Sequence, residues 1–328
     1  MYAFVDGLQK GAYVIKKCVL VSRLLSVYNE GVGVLFECLR LTADDILLIP
    51  EGETLMNQNE RLDYLLEQFK EDSGEYRNLE TPADPVGKKC ILRSLMNIRM
   101  PRMIAPSVLA VQDEYLKERN RENGIVEIKD IPTIADQGSR HAHAGIISIW
   151  QGDITRLAAD AIVNAANSQM LGCFVPMHAC IDNCIHTYAG IQLRAECNRQ
   201  MNALREKYGP DYEQPTAMPM LTDGYTLPAK KVVHIVGPIV TGRLTKDLEQ
   251  DLADCYRNTL DLCLEKDIRS VAFCCISTGV FRFPNQRAAE IAVRTVTAWA
   301  DKHPGGMERV IFNVFKEEDK KYYEQELF

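Results

Sequence analysis

From about residue 140 to the end of the chain, short apolar runs alternate with longer segments of helical spacing. No other feature restricts the possible folds as much. Residues 145–150, 161–163, 231–236, 270–275 and 308–314 read as buried strands. Residues 180–207 read as one long helix, 245–266 and 285–303 as two more, and a charged helix closes the chain. Strands and helices in turn predict a sheet covered by helices on both faces. Ligands on such sheets bind beyond the carboxyl ends of the strands. The loops of interest are therefore 164–179 and 276–284.

The preceding half is patterned differently. Residues 61–69, 90–96 and 107–119 carry apolar side chains at helical spacing, and Pro82, Pro85 and Gly87 mark a loop between helices. A polar stretch with Pro132 and Gly138, residues 130–139, reads as a domain linker. The expected division is an unassigned segment 1–55, a helical extension 56–135 and an α/β domain 140–328. The first 55 residues are either a true extension or a stretch upstream of a start at Met56.

A chain of 328 residues exceeds the usual size of one hydrophobic core, which fits this division. The net charge of −7 argues against a nucleic-acid partner, which calls for a basic stripe. Most of that acidic excess lies before residue 140. Any phosphate bound after it must rely on backbone amides and helix ends. Eleven cysteines, irregularly spaced, do not make a secreted disulfide scaffold and point to a reducing, cytoplasmic setting. The apolar segment 12–41 is interrupted by Lys16, Lys17, Arg23, Glu30 and Glu37, short of the ~18 uncharged residues a membrane span needs. It reads as neither a span nor a signal peptide.

Chemistry concentrates in residues 172–182. Cys173, His178 and Cys180 form a Cys-x4-His-x-Cys run with Asp182 two residues beyond. Free cysteines are also ordinary small core residues. Three donors within eight residues, however, suit a zinc ion with a fourth position left open, the arrangement of catalytic rather than structural zinc. Cys180 is expected near a helix start, where the positive helix end favours the thiolate. Cys184 and His186 are possible spare ligands.

Three further elements align with this run: Gly152-Asp153-Ile154-Thr155 after a strand, Asn164-Ala165-Ala166-Asn167-Ser168 after the next, and Ser277-Thr278-Gly279-Val280-Phe281-Arg282-Phe283-Pro284 after a late one. Together with Asp182-x3-His186 they resemble the macrodomain family, and within it the zinc-containing macrodomains linked to microbial sirtuin-type ADP-ribosyltransferases. The likeness is clear over residues 148–314 and weaker from Met56, where it includes Leu92-Arg93-Ser94-Leu95-Met96-Asn97.

The resemblance implies a three-layer α/β/α fold with a mixed central sheet, preceded by a helical extension. It implies binding of ADP-ribose and hydrolysis of mono-ADP-ribose from modified proteins, with carboxylate esters as the expected linkage. Asp153 and Ile154 would meet the adenosine, and Ser277, Thr278, Gly279, Val280 and Phe281 the diphosphate and distal ribose. Asn167 would hold that ribose. Zn2+ would sit on Cys173, His178 and Cys180, with Asp182 as general base or water-orienting group. Asn164 is expected to bond loop backbone, His186 to pack and hydrogen bond, and Phe283 to pack in the core; Asn313 and Phe315 either flank the adenosine or pack in the core. Two departures stand out: Cys173 to His178 replace the glycine run of ordinary hydrolytic macrodomains, and Arg282 replaces a glycine. The competing readings are an ADP-ribose reader without turnover and an O-acetyl-ADP-ribose esterase.

Overall fold

A computed structural model describes residues 56–328; residues 1–55, with their unassigned segments, lie outside the described residues. Helix α1 (Gln58–Ser73) starts on a capping box: the Asn57 side chain accepts from the amides of Asn59 and Glu60, and Glu60 accepts from the Asn57 amide. Helix α2 (Pro85–Ile98) starts with Asp84 as cap and Pro85 in its first turn, and α3 (Pro106–Glu122) follows. Leu62, Leu65, Leu66, Phe69, Leu92, Leu95 and Leu116 pack together between the three helices. Ile191, from the α/β part, completes that cluster. The helices are thereby fused to the body rather than tethered to it.

The intervening segment is not a spacer. After β1 (Val126–Glu127) and a short 3-10 turn, Ile131 and Ile134 are buried in the main core. The linker expectation for residues 130–139 fails because its two isoleucines anchor it.

The remaining strands are β2 (Ile147–Gln151), β3 (Leu157–Ala158), β4 (Ala161–Ala166), β5 (Met220–Asp223), β6 (Lys231–Val236), β7 (Ser270–Phe273) and β8 (Arg309–Val314). The six-stranded sheet runs β2-β8-β7-β4-β6-β5; every neighbouring pair is parallel except β5 against β6. Strands β1 and β3 pair separately. Nearly every residue of β4, β6, β7 and β8 is buried, so both faces are covered, as a sheet built by crossovers requires. The covering helices are α4 (Ile181–Ala189), α5 (Ile191–Tyr208), α6 (Lys246–Glu265), α7 (Asn285–Lys302) and α8 (Glu317–Leu327). The fold is the expected α/β arrangement, a mixed central sheet between helices. Among the described residues no helix is long and apolar enough to cross a membrane.

The helix expected over 180–207 is two helices, α4 and α5, broken at Gly190. That residue has φ 90°, which a side chain rarely tolerates, and a Cβ there would lie 2.6 Å from Gln192 Oε1 and 2.7 Å from Gln112 Nε2. The break lets the Gln112 side-chain Oε1 accept from the Ile191 amide at 3.1 Å, locking α3 to the start of α5. Gly190→Ala should lower stability by about 1–3 kcal/mol, read as a shift in the urea unfolding midpoint.

Candidate active site

Five parallel strands end on the same edge of the sheet, and the loops that leave them collect there. Asp153 follows β2 and caps a 3-10 turn: its Oδ1 accepts from the Thr155 amide at 3.0 Å and the Thr155 hydroxyl at 2.7 Å. The Ile154 side chain is buried in the core, so this residue offers only its backbone outward. Asn313, at the end of β8, donates to the Gly152 carbonyl at 3.0 Å and fixes the turn before Asp153. Phe315, one residue past β8, is 78% exposed and does not pack in the core.

The loop after β4 carries the metal-like run. Asn167 accepts from the Gln169 amide at 3.0 Å and donates to the Gly172 carbonyl at 3.3 Å, so its side chain shapes this loop. Gly172 has φ 78°, and a Cβ there would lie 2.7 Å from the His186 ring. Only glycine admits that approach. Beyond it the donor atoms of Cys173, His178 and Cys180 all lie within 4.8 Å of one another, and Cys173 Sγ is 3.4 Å from His178 Nδ1. Sulfur and nitrogen on a tetrahedral zinc stand about 3.5 Å apart, so the donor set fits that ion. Cys184 lies outside the set and contacts Arg93 instead.

Cys180 is the N-cap of α4, its sulfur accepting from the Asn183 amide at 3.4 Å. The helix start was expected to favour its thiolate. Burial, reinforced by the neighbouring Cys173, instead pushes the metal-free thiol up to about 12. A cation would have to displace the proton, so binding should release one.

The helical extension grips this loop from outside. Arg93 on α2 donates through Nη2 to the His178 carbonyl and to Asn183 Oδ1, both at 2.8 Å. Asn97 Oδ1 accepts from the Met177 amide at 3.0 Å, where Met177 takes φ 57°, a conformation that needs outside support. Arg194 on α5 donates to the carbonyls of Asn97 at 2.7 Å, Arg99 at 2.8 Å and Cys173 at 3.4 Å. One hint of this role was legible beforehand, the likeness over residues 92–97. Nothing local marked Arg194.

Asp182, one residue into α4, is buried. Its Oδ1 accepts from Asn164 Nδ2 at 2.8 Å and lies 3.6 Å from His186 Nε2. Burial raises its carboxyl to about 6, against the lowering effect of the Asn164 amide and the Arg194 charge. Asn164 does not bond loop backbone as expected. Strand β4 continues through Ala166, which puts Asn164 inside the sheet in register with His234 of β6. The same Nδ2 lies 3.1 Å from His234 Nδ1, and His234 Nε2 lies 3.0 Å from the Thr222 hydroxyl on β5. A polar row across three strands thus ends on the Asp182 carboxylate.

His186 packs as expected but makes no hydrogen bond among the described residues, and burial holds it neutral. His186, Cys197 and His234 also bring donor atoms within 4.8 Å. Both nitrogens of His234 are engaged, and burial keeps the Cys197 thiol protonated. This cluster is core, not a second metal centre.

In the loop after β7, Ser277 is buried with φ 65° and accepts at its carbonyl from the Phe283 amide at 3.0 Å. The Thr278 hydroxyl donates to the Cys275 carbonyl at 2.9 Å, and the Phe281 carbonyl accepts from the Val240 amide at 2.9 Å. Gly279 and Val280 form the exposed crest, and Phe283 is buried as expected. Arg282 is exposed and makes no ion pair among the described residues.

A macro domain profile matches residues 163–292. A protein-ADP-ribose hydrolase of Treponema medium is 45% identical over 268 residues, 82% of this chain and 98% of that protein. One from Staphylococcus aureus (strain MRSA252) is 39% identical over 274 residues, 83% of this chain and 97% of its own. The solved Trypanosoma brucei macrodomain in complex with ADP is 30% identical with a TM-score of 0.54, covering 71% of this chain and 95% of that one. A long match at that identity, on this sheet and these loops, places the chain in the macro domain family, alongside relatives named protein-ADP-ribose hydrolases.

Proposed function

We propose that this protein hydrolyses mono-ADP-ribose from modified protein side chains, with carboxylate esters as the linkage, in the manner of the zinc-containing macrodomains. The observation that carries the reading is the convergence of Cys173, His178 and Cys180 beside the buried carboxyl of Asp182 at the strand ends. Asp153 accepts the adenine amino group through the carboxylate oxygen not used by Thr155. The backbone of residues 277–281 curves around the diphosphate, whose charge amides can meet without added cations. Phe281 packs against the distal ribose, and Asn167 holds that sugar from the other loop. Cys173, His178 and Cys180 would hold the zinc, which would supply Lewis-acid polarisation to a ribose hydroxyl or a water. Asp182, held by Asn164 at 2.8 Å with a carboxyl near 6, takes a proton from the attacking water near neutrality in this reading.

The relatives' name supports hydrolysis. An ADP-ribose reader would have no use for an open metal position. The direct test is incubation of the zinc-loaded protein with a carrier mono-ADP-ribosylated on a carboxylate, with free ADP-ribose measured. Binding without release would make it a reader instead.

Three variants separate the roles. Cys173→Ser should lose bound zinc by metal analysis and turnover by ~10²-fold or more, while calorimetry still detects ADP-ribose binding. Asp182→Ala should keep its zinc and its ADP-ribose affinity within a few-fold but lose about 10²–10⁴-fold in kcat. Arg93→Ala removes the support under His178 and Asn183 and should weaken zinc affinity roughly tenfold against a chromophoric chelator.

A further inference from the structure

The helical extension leaves a groove beside the ligand loop. It encloses about 330 Å³ between α2, α3 and the end of α4, and its walls include Lys89, Arg93, Tyr115, Arg119, Met177 and Tyr188. Met177 belongs to the loop that carries the metal donors, and Arg93 bonds the His178 carbonyl. The groove therefore begins where the site ends.

Its charge runs against that of the chain. The whole protein carries −7, yet Lys89, Arg93 and Arg119 face a single acid, Glu122, across this groove. None of the four forms an ion pair among the described residues. Elsewhere in the extension most arginines find acids: Arg99 and Arg102 share Asp72, Arg77 pairs with Glu71 and Arg121 with Glu118, while Arg61 bonds Gln58. The groove cations are also pre-set. The Arg119 guanidinium lies over the Tyr188 ring, and that of Arg93 stands 5.7 Å from the same ring centre. Stacking orders the Arg119 guanidinium, whose Nη1 donates to Asn120 and whose Nε and Nη2 have no partner among the described residues and can meet a carboxylate. Arg93 Nε is buried without a hydrogen-bond partner among the described residues.

We propose that this groove binds an acidic segment of the carrier protein, a peptide with Asp or Glu side chains close to the modified residue. This rests on the hydrolase reading, since it assigns the groove to the part of the substrate beyond the ADP-ribose. The groove is too short for a polynucleotide track, and the acidic remainder of the chain would repel one. Apolar walls at Val86, Met96 and Leu116 suit the aliphatic stems of a peptide. The site loops thus grip the nucleotide while the extension selects the carrier.

The test uses the full chain and a fluorescein-labelled, glutamate-rich peptide that carries no ADP-ribose. Anisotropy at low ionic strength should show binding to the wild type that weakens as salt is added. The double variant Lys89→Glu, Arg119→Glu should bind roughly tenfold or more weakly, while its ADP-ribose affinity by calorimetry stays within twofold. On a modified acidic carrier the same variant should raise KM by a similar factor with kcat unchanged. Equal peptide binding by both proteins, no binding to the wild type, or equal binding of an oligonucleotide of matched charge would overturn the assignment. If the carrier is not hydrolysed by the wild type, the hydrolase reading fails, while the unmodified peptide still decides the groove.

Discussion

A buried guanidinium joins α5, the end of α2 and the ligand loop. Arg194 leaves α5, reaches the carbonyls at the end of α2 and touches the carbonyl of Cys173. Among the described residues it pairs with no carboxylate. Burial lowers it to about 10, a fall that nearby Asp182 and Cys173 oppose, and its N–H groups meet carbonyls at the negative end of α2. Phe174 stacks on the same group, its ring centre 4.1 Å from the guanidinium carbon. Removing this cation would leave several carbonyls unmet and the ligand loop without one of its walls.

The ligand loop depends on such outside support because its own backbone resists the shape it takes. Met170 and Met177 both adopt positive φ without being glycine, and Gly172 must lie against the His186 ring. Hydrogen bonds donated by Arg93, Asn167 and Asn183, and one accepted by Asn97 from the Met177 amide, hold the loop in place. Strain of this kind persists only when the surroundings over-determine it, and it gathers where chemistry is done. The polar row from Thr222 through His234 and Asn164 performs the same service for Asp182 from inside the sheet.

Local signals were legible and long-range ones were not. Strand β6 lies where its apolar run placed it, and the gathering of Cys173, His178 and Cys180 follows from their spacing within eight residues. Strand β5 escaped notice: it is four residues long, edge-paired and buried only at alternate positions. Gly190 was hidden by helical spacing on both sides of it. The partnership of Asn164 with Asp182 and His234 spans 18 and 70 residues and exists only once β4 and β6 pair. The thiol of Cys180 was misjudged because a helix end acts on any residue at that position, whereas burial depends on everything packed around it.

Ile191 opens α5 in the α/β part yet belongs to the apolar cluster of the extension. Cutting the chain between the two would bare a greasy face on each piece and strip the props from the metal-like loop. Residues 140–328 are thus no transplantable cassette: any exchange of this activity between proteins must move the block from the Asn57 cap onward as one inheritance.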